Sequence, residues 1–146
     1  MPAYFLDSSA LVKGYRREPG TARVHELLRG PDPLIIAQLS HLEVSSAIVR
    51  RAEETRMSDQ EIRTALDELD REVAQSLEAI RADDAIMSSA IRLTRIHRLR
   101  AADAIQLASA VSVQGRRTEL IFVSSDLELN RGAVAEGMSV LDPTQP

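Results

Sequence analysis

The stretch "AYFLD", Ala3–Asp7, is an apolar, partly aromatic run that stops abruptly at a carboxylate. Such a run suits a buried parallel strand that delivers Asp7 at its C-terminal end. "ELIFVSSD", residues 119–126, repeats the logic and ends at Asp126. Between and beyond them, "DPLIIAQLS" (32–40), "SLEAI" (76–80) and "MSVLD" (138–142) read as further short strands. The intervening segments carry helical spacing. "SSALVKGYRRE" begins a helix with Ser8 or Ser9 as N-cap and ends before Pro19, and "GTARVHELLRG" is closed by Gly30. "SHLEVSSAIVRRAEETRM" has Ser40 as its N-cap, and Ser58 with Glu61 forms a capping box ahead of "DQEIRTALDELDREVAQ". "DDAIMSSAIRLTRIHR", "LRAADAIQLASA" and "DLELNRGAVAEG" complete the set. Strands alternating with helices imply an α/β fold, a three-layer α/β/α sandwich around a central parallel sheet. One domain over residues 1–142 is expected, with 143–146 as a loose tail.

Composition narrows the function. The chain has 146 residues, no cysteine and a net charge of −4. A disulfide framework, a thiol nucleophile and cysteine-ligated zinc are excluded. The acidic balance argues against a general nucleic-acid coat, so any such contact must be local. Two Phe and two Tyr are too few for a broad base-stacking platform. The N-terminus lacks a basic leader followed by an apolar stretch, and no run is long enough to span a bilayer. A cytoplasmic protein without membrane contact is the expectation.

In an open α/β sheet the functional crevice lies beyond the carboxyl ends of the strands, at a switch in strand order. Asp7 and Asp126 fall at such ends, and Glu43 and Asp103 lie near helix N-termini on the same edge. Each has a plain alternative: Asp7 and Asp126 as N-caps, Glu43 as a complement to the helix dipole. Asp103 differs, because "LRAADAIQLA" is apolar enough that an unpaired charge there is costly. Four carboxylates in one cleft raise one another's pKa, a conflict that a divalent cation resolves. All-oxygen ligation favours Mg²⁺ or Mn²⁺. Such an ion activates water and stabilises charge on a phosphoryl oxygen, the chemistry of phosphodiester hydrolysis.

Around these acids, Ser8, Ser9, Ser40, Ser124 and Ser125 read as caps or as donors that hold carboxylates in place. Arg92, Arg95, Arg98 and Arg100 form either a solvated face or a phosphate-positioning strip, and Lys13 and Arg16 are further phosphate candidates. His25, His41 and His97 share no metal-ligand spacing. No Ser-His-Asp order, P-loop or dinucleotide fingerprint is present.

"FLDSSALVKGY", "SHLEVSSAI", "LRAADAIQLASA" and "FVSSDLELNRGAVAEGM", in that order, resemble the four motifs of the PIN domain, specifically of VapC-type toxins from bacterial toxin–antitoxin pairs. The resemblance covers nearly the whole chain. It implies a Mg²⁺-dependent endoribonuclease with Asp7 and Asp103 as direct metal ligands and Glu43 and Asp126 completing the shell directly or through water. Ser124 corresponds to the small hydroxyl residue before the fourth acid. The resemblance also implies a homodimer and a VapB-type antitoxin lying over the active-site groove. The alternatives are a flap-type DNase, a phosphatase, and a non-catalytic module that captures basic peptides in an acidic groove. The phosphatase is weakened by Ser9, which stands where a second aspartate is wanted.

Overall fold

A computed structural model describes residues 1–117 and 119–146. Strands β1 (Ala3–Leu6), β2 (Leu34–Ala37), β3 (Leu77–Ile80), β4 (Leu120–Val123) and β5 (Ser139–Leu141) form one sheet in the order β3-β2-β1-β4-β5. All the pairings are parallel. The chain steps from β1 outward to β3, then returns to lay β4 on the other side of β1. The strand order therefore switches between β1 and β4, and their carboxyl ends flank the crevice.

Alternation along each strand divides the interior into two layers. Phe5, Ile35 and Phe122 face a core built with α5 (Asp84–His97), α6 (Ala101–Gln114) and α7 (Leu127–Ala135). Phe5 and Phe122 stack there with centroids 5.6 Å apart. Leu6, Ile36 and Val123 face the opposite core, built with α1 (Ser8–Leu11), α2 (Thr21–Arg29), α3 (Gln38–Thr55) and α4 (Asp59–Gln75). The three-layer α/β/α sandwich expected from the strand pattern is the observed architecture. No helix among the described residues is long and apolar enough to cross a membrane.

Several local expectations are corrected. The first helix is capped by Asp7, whose carboxylate accepts from the Ala10 amide; neither Ser8 nor Ser9 is the cap. That helix ends at Leu11 and passes into a 3₁₀ turn, Val12–Gly14, instead of running to Pro19. A β-carbon at Gly14 would lie 2.7 Å from Leu28 Cδ1, so a larger residue there would displace the end of the Leu28 side chain on α2. Ser40 is not an N-cap either. β2 runs into α3 without a loop, which places Ser40 inside the helix and fully buried. The expected Ser58 cap does form, with its hydroxyl accepting from the Glu61 amide. At the end of the chain, Asp142 Oδ1 accepts from the Thr144 amide and Pro143 is buried beside Gly20, while residues 144–146 are exposed.

Candidate active site

Asp7 leaves β1 at the switch point and is only 3% exposed. Its Oδ1 accepts from the Ala10 amide at 2.9 Å and the Ser9 hydroxyl at 2.7 Å. Its Oδ2 accepts from the Ser124 hydroxyl, also at 2.7 Å. A carboxylate offers about four lone-pair sites, so one on Oδ2 remains open. Burial pushes the Asp7 carboxyl up to about 6, against the opposing effect of those three hydrogen bonds, and nearby Asp126 adds to the rise.

The same Ser124 orients β4's contribution. Its Oγ accepts from the Asp126 amide at 3.0 Å, and its carbonyl accepts from the Asn130 side chain at 2.9 Å. Asp126 caps α7 through Oδ1, which accepts from the amides of Glu128 and Leu129. The plain capping reading is thus correct for both Asp7 and Asp126, and capping also fixes where these acids stand.

Glu43 projects from the second turn of α3. Its Oε1 accepts from the Ser8 hydroxyl at 2.7 Å and lies 3.3 Å from Gln106 Nε2. The Gln106 amide also donates to the oxygens of Ser8 at 2.9 Å and Ser40 at 2.8 Å. Gln106 thereby ties α1, α3 and α6 together, while its own Oε1 is buried without a partner among the described residues. Composition-based reading missed it. The available signal was a polar residue three positions after Asp103 in an otherwise apolar helix.

Asp103 occupies the first turn of α6, half-buried, and no hydrogen bond or ion pair holds its carboxylate among the described residues. Burial raises its pKa first, followed by the charges of Asp126 and Glu43 and, more weakly, Glu128, with Arg100 opposing. Asp103 therefore lies in a field set by acids from α3 and α7. Glu128 is a second residue that sequence reading passed over, since it looked like an ordinary helical glutamate two positions beyond Asp126.

The donor set fits a hard cation in kind: carboxylate oxygens only, coupled to one another, with one arginine in opposition. No three Asp, Glu or His side chains among the described residues gather closely enough to hold an ion between them. Mg²⁺ does not require such a cage, because it keeps several waters and takes one or two carboxylates. Asp103, with both oxygens open, and Asp7, with its remaining Oδ2 lone pair, are the groups suited to hold it.

The basic candidates separate sharply. Lys13 is buried and paired with Glu18 at 2.7 Å, and the same glutamate holds Arg16 at 2.7 Å. Although burial opposes it, this pairing keeps the Glu18 carboxyl below its ordinary range. Lys13 is thus held in the fold by a counter-charge, which burial of its ammonium demands. Arg98 and Arg100 remain exposed, as do Arg92 and Arg95. The histidines are bound within the fold: His25 to the Gly14 carbonyl, His41 to Asp70 and His97 to Glu136.

The PIN domain family model matches residues 4–134 of the chain. Ribonuclease VapC45 of Mycobacterium tuberculosis (strain CDC 1551 / Oshkosh) is 32% identical over 148 residues, covering 98% of this chain and 100% of the relative. Among solved structures, FitAcB from Neisseria gonorrhoeae superposes with a TM-score of 0.68 at 14% identity, covering 98% of this chain and 99% of the other. VapBC2 from Rickettsia felis, bound to a DNA fragment from their promoter, gives 0.65 at 13% identity, with 95% and 97% covered.

Proposed function

The chain belongs to the PIN domain family and is homologous to VapC ribonucleases, and from that premise we propose that it is a Mg²⁺-dependent endoribonuclease, the toxin of a VapBC-type pair. The observation that supports the reading is that Ser124 bonds both Asp7 and the Asp126 amide at the β1–β4 switch point, with Glu43 bonded to Ser8 beside Asp7 and Asp103 near enough to feel the charges of Asp126 and Glu43. Burial raises the Asp7 and Asp103 pKa values first; Asp126 adds to the rise at both, and Glu43 adds to it at Asp103. Mg²⁺, or Mn²⁺ in its place, would supply an activated water and charge stabilisation at the phosphoryl oxygens. Asp7 and Asp103 would hold it, with Glu43 and Asp126 directly or through water.

The chain's own part is orientation. Ser9 and Ser124 fix both oxygens of Asp7, and Ser8 with Gln106 fixes Glu43, so these acids are oriented before metal and substrate arrive. Beside Glu43, a hollow of about 500 Å³ is lined by Val12, exposed Leu42, Val44 and Ala47. This partly apolar groove supports an antitoxin segment as its cover, in keeping with the VapBC complexes among the structural neighbours. A homodimer is part of the same proposal, on family grounds.

The test compares single-stranded RNA, single-stranded DNA and a simple phosphate ester under Mg²⁺, Mn²⁺ and chelator. RNA cleavage that needs a metal and disappears in Asp7→Asn and Asp103→Asn is expected. Cleavage that survives both substitutions in nuclease-free protein refutes the site. Preference for DNA would move the substrate to the flap-nuclease alternative, and metal-independent capture of a basic peptide without cleavage would favour a binding module.

A further inference from the structure

Two hollows adjoin residues of the acidic site, one built with α1 and α3 and the other with the end of α5 and α7. The first, about 500 Å³, includes Ser8, Ser9, Glu43 and Arg50 in its lining. The second, about 390 Å³, is lined by His97, Arg98, Glu128 and Arg131 among others. The first hollow reaches Asp7 through Ser9, whose hydroxyl donates to Asp7, and the second reaches Asp126 through Glu128, whose amide donates to Asp126. Arg50, Arg98 and Arg131 are exposed, and none makes an ion pair among the described residues. Arg16, which also reaches the first hollow, is already neutralised by Glu18.

We propose that Arg50 on one side and Arg98 with Arg131 on the other grip the phosphates flanking the scissile bond, so that a single-stranded RNA runs through both hollows across the acids. The inference rests on the ribonuclease reading above. A chain of net charge −4 repels a polyanion, and the carboxylates of Asp7, Glu43, Asp103, Asp126 and Glu128 at the cleft sharpen the repulsion. Approach therefore depends on local unpaired cations, and the arginine fork suits phosphate oxygens. Among the described residues the one ring lining either hollow is His97, whose Nε2 pairs with Glu136. Grip is accordingly on the backbone and not by base stacking. An extended strand can bend its phosphates into two concavities; an A-form duplex holds them on rigid convex ridges.

Arg98 permits a clean probe. It caps α5 with φ 55°, a left-handed conformation that glycine adopts with less strain. Arg98→Gly removes the side chain while leaving the backbone satisfied, so the melting temperature should hold or rise.

The experiment measures binding of a labelled single-stranded RNA oligomer to the uncleaving Asp7→Asn protein across a salt series, and steady-state cleavage in the otherwise wild-type chain. Adding Arg50→Gln, Arg98→Gly and Arg131→Gln together should lower the slope of log affinity against log salt by about 2, or about 0.7 for each phosphate no longer neutralised. KM should rise with kcat nearly retained. Arg29→Gln, at the C-terminus of α2 on the opposite edge of the sheet, should change neither. An unchanged slope and KM in the triple variant, while its parent binds and cleaves RNA, overturns the arginine track and leaves the ribonuclease reading standing. Equal loss of affinity for a duplex overturns the single-strand path. If the parent neither binds nor cleaves RNA, the ribonuclease reading fails and the track fails with it.

Discussion

Ser124 Oγ donates to Asp7 Oδ2 at 2.7 Å, joining residues 117 positions apart at the ends of adjacent strands β4 and β1. Both groups are buried, and the same hydroxyl oxygen accepts from the Asp126 amide. One serine thus sets the spacing between two acids of the site.

Ser124→Ala should lose about 1.5–3 kcal/mol in urea unfolding, the range for a hydrogen bond to a charged group. Cleavage should fall further than stability, because Asp7 loses a donor that favours its ionised form. The pH at which activity rises should move upward. An unchanged pH profile would reduce Ser124 to a packing role.

Asp7 also makes stability depend on pH. Its carboxyl is raised from 3.8 to about 6 in the folded chain, so its contribution favours the fold fully below about pH 4 and is lost as pH climbs through 6. The loss amounts to roughly 3 kcal/mol when both states are ionised, at about 1.4 kcal/mol per unit. With chelator present, Asp7→Asn should therefore be more stable than wild type at pH 7–8, and the gap should close towards pH 4. Millimolar Mg²⁺ should raise the wild-type melting temperature at pH 8 and have little effect on Asp7→Asn or Asp103→Asn. A wild-type melting curve indifferent to Mg²⁺ and Mn²⁺ would contradict the metal site.

Gln106→Leu removes the donor shared by Ser8, Ser40 and Glu43, together with a buried carbonyl oxygen that has no partner among the described residues. The loss of an unsatisfied group offsets part of the loss of bonds, so stability should change by about 1 kcal/mol or less. Without Gln106, Glu43 is less firmly held, and kcat should drop roughly tenfold or more with KM near its original value. Activity that falls only in step with the melting temperature would assign Gln106 to packing.

Glu18→Gln should leave Lys13 buried without its counter-charge and lower stability by about 2 kcal/mol or more. The value is below that of a fully enclosed pair because Glu18 retains some contact with water. RNA affinity should not fall, since neither Lys13 nor Arg16 is released in the native protein to meet phosphate. Weaker RNA binding at unchanged stability would restore these two residues to the substrate path.

Much of the architecture was legible because it is written in local patterns. Four-residue apolar runs ending in a carboxylate marked β1 and β4 approximately, and the Ser58–Glu61 spacing placed the start of α4. Helix starts were less legible where the cap came from outside the expected hydroxyls, as Asp7 shows, or where β2 entered α3 without a loop and carried Ser40 into the interior. The four acids were named from chain position alone, whereas Glu128 and Gln106 were not, since each looks ordinary until its neighbours are known. Among the basic residues, position could not separate Lys13 from Arg50. One is neutralised by Glu18 five residues on, and the other stands without an ion pair among the described residues, in the hollow beside Glu43.

The sequence by itself determined which segments become strands and helices, and that carboxylates end up at their junctions, because hydrophobic period and capping chemistry act over a few residues. Only the tertiary structure decided that β4 returns to lie beside β1, that one serine holds Asp7 and Asp126 together, and that three arginines remain exposed around them. Those relations depend on pairings across more than thirty to more than a hundred residues, where burial and charge compensation, not local propensity, select the partner.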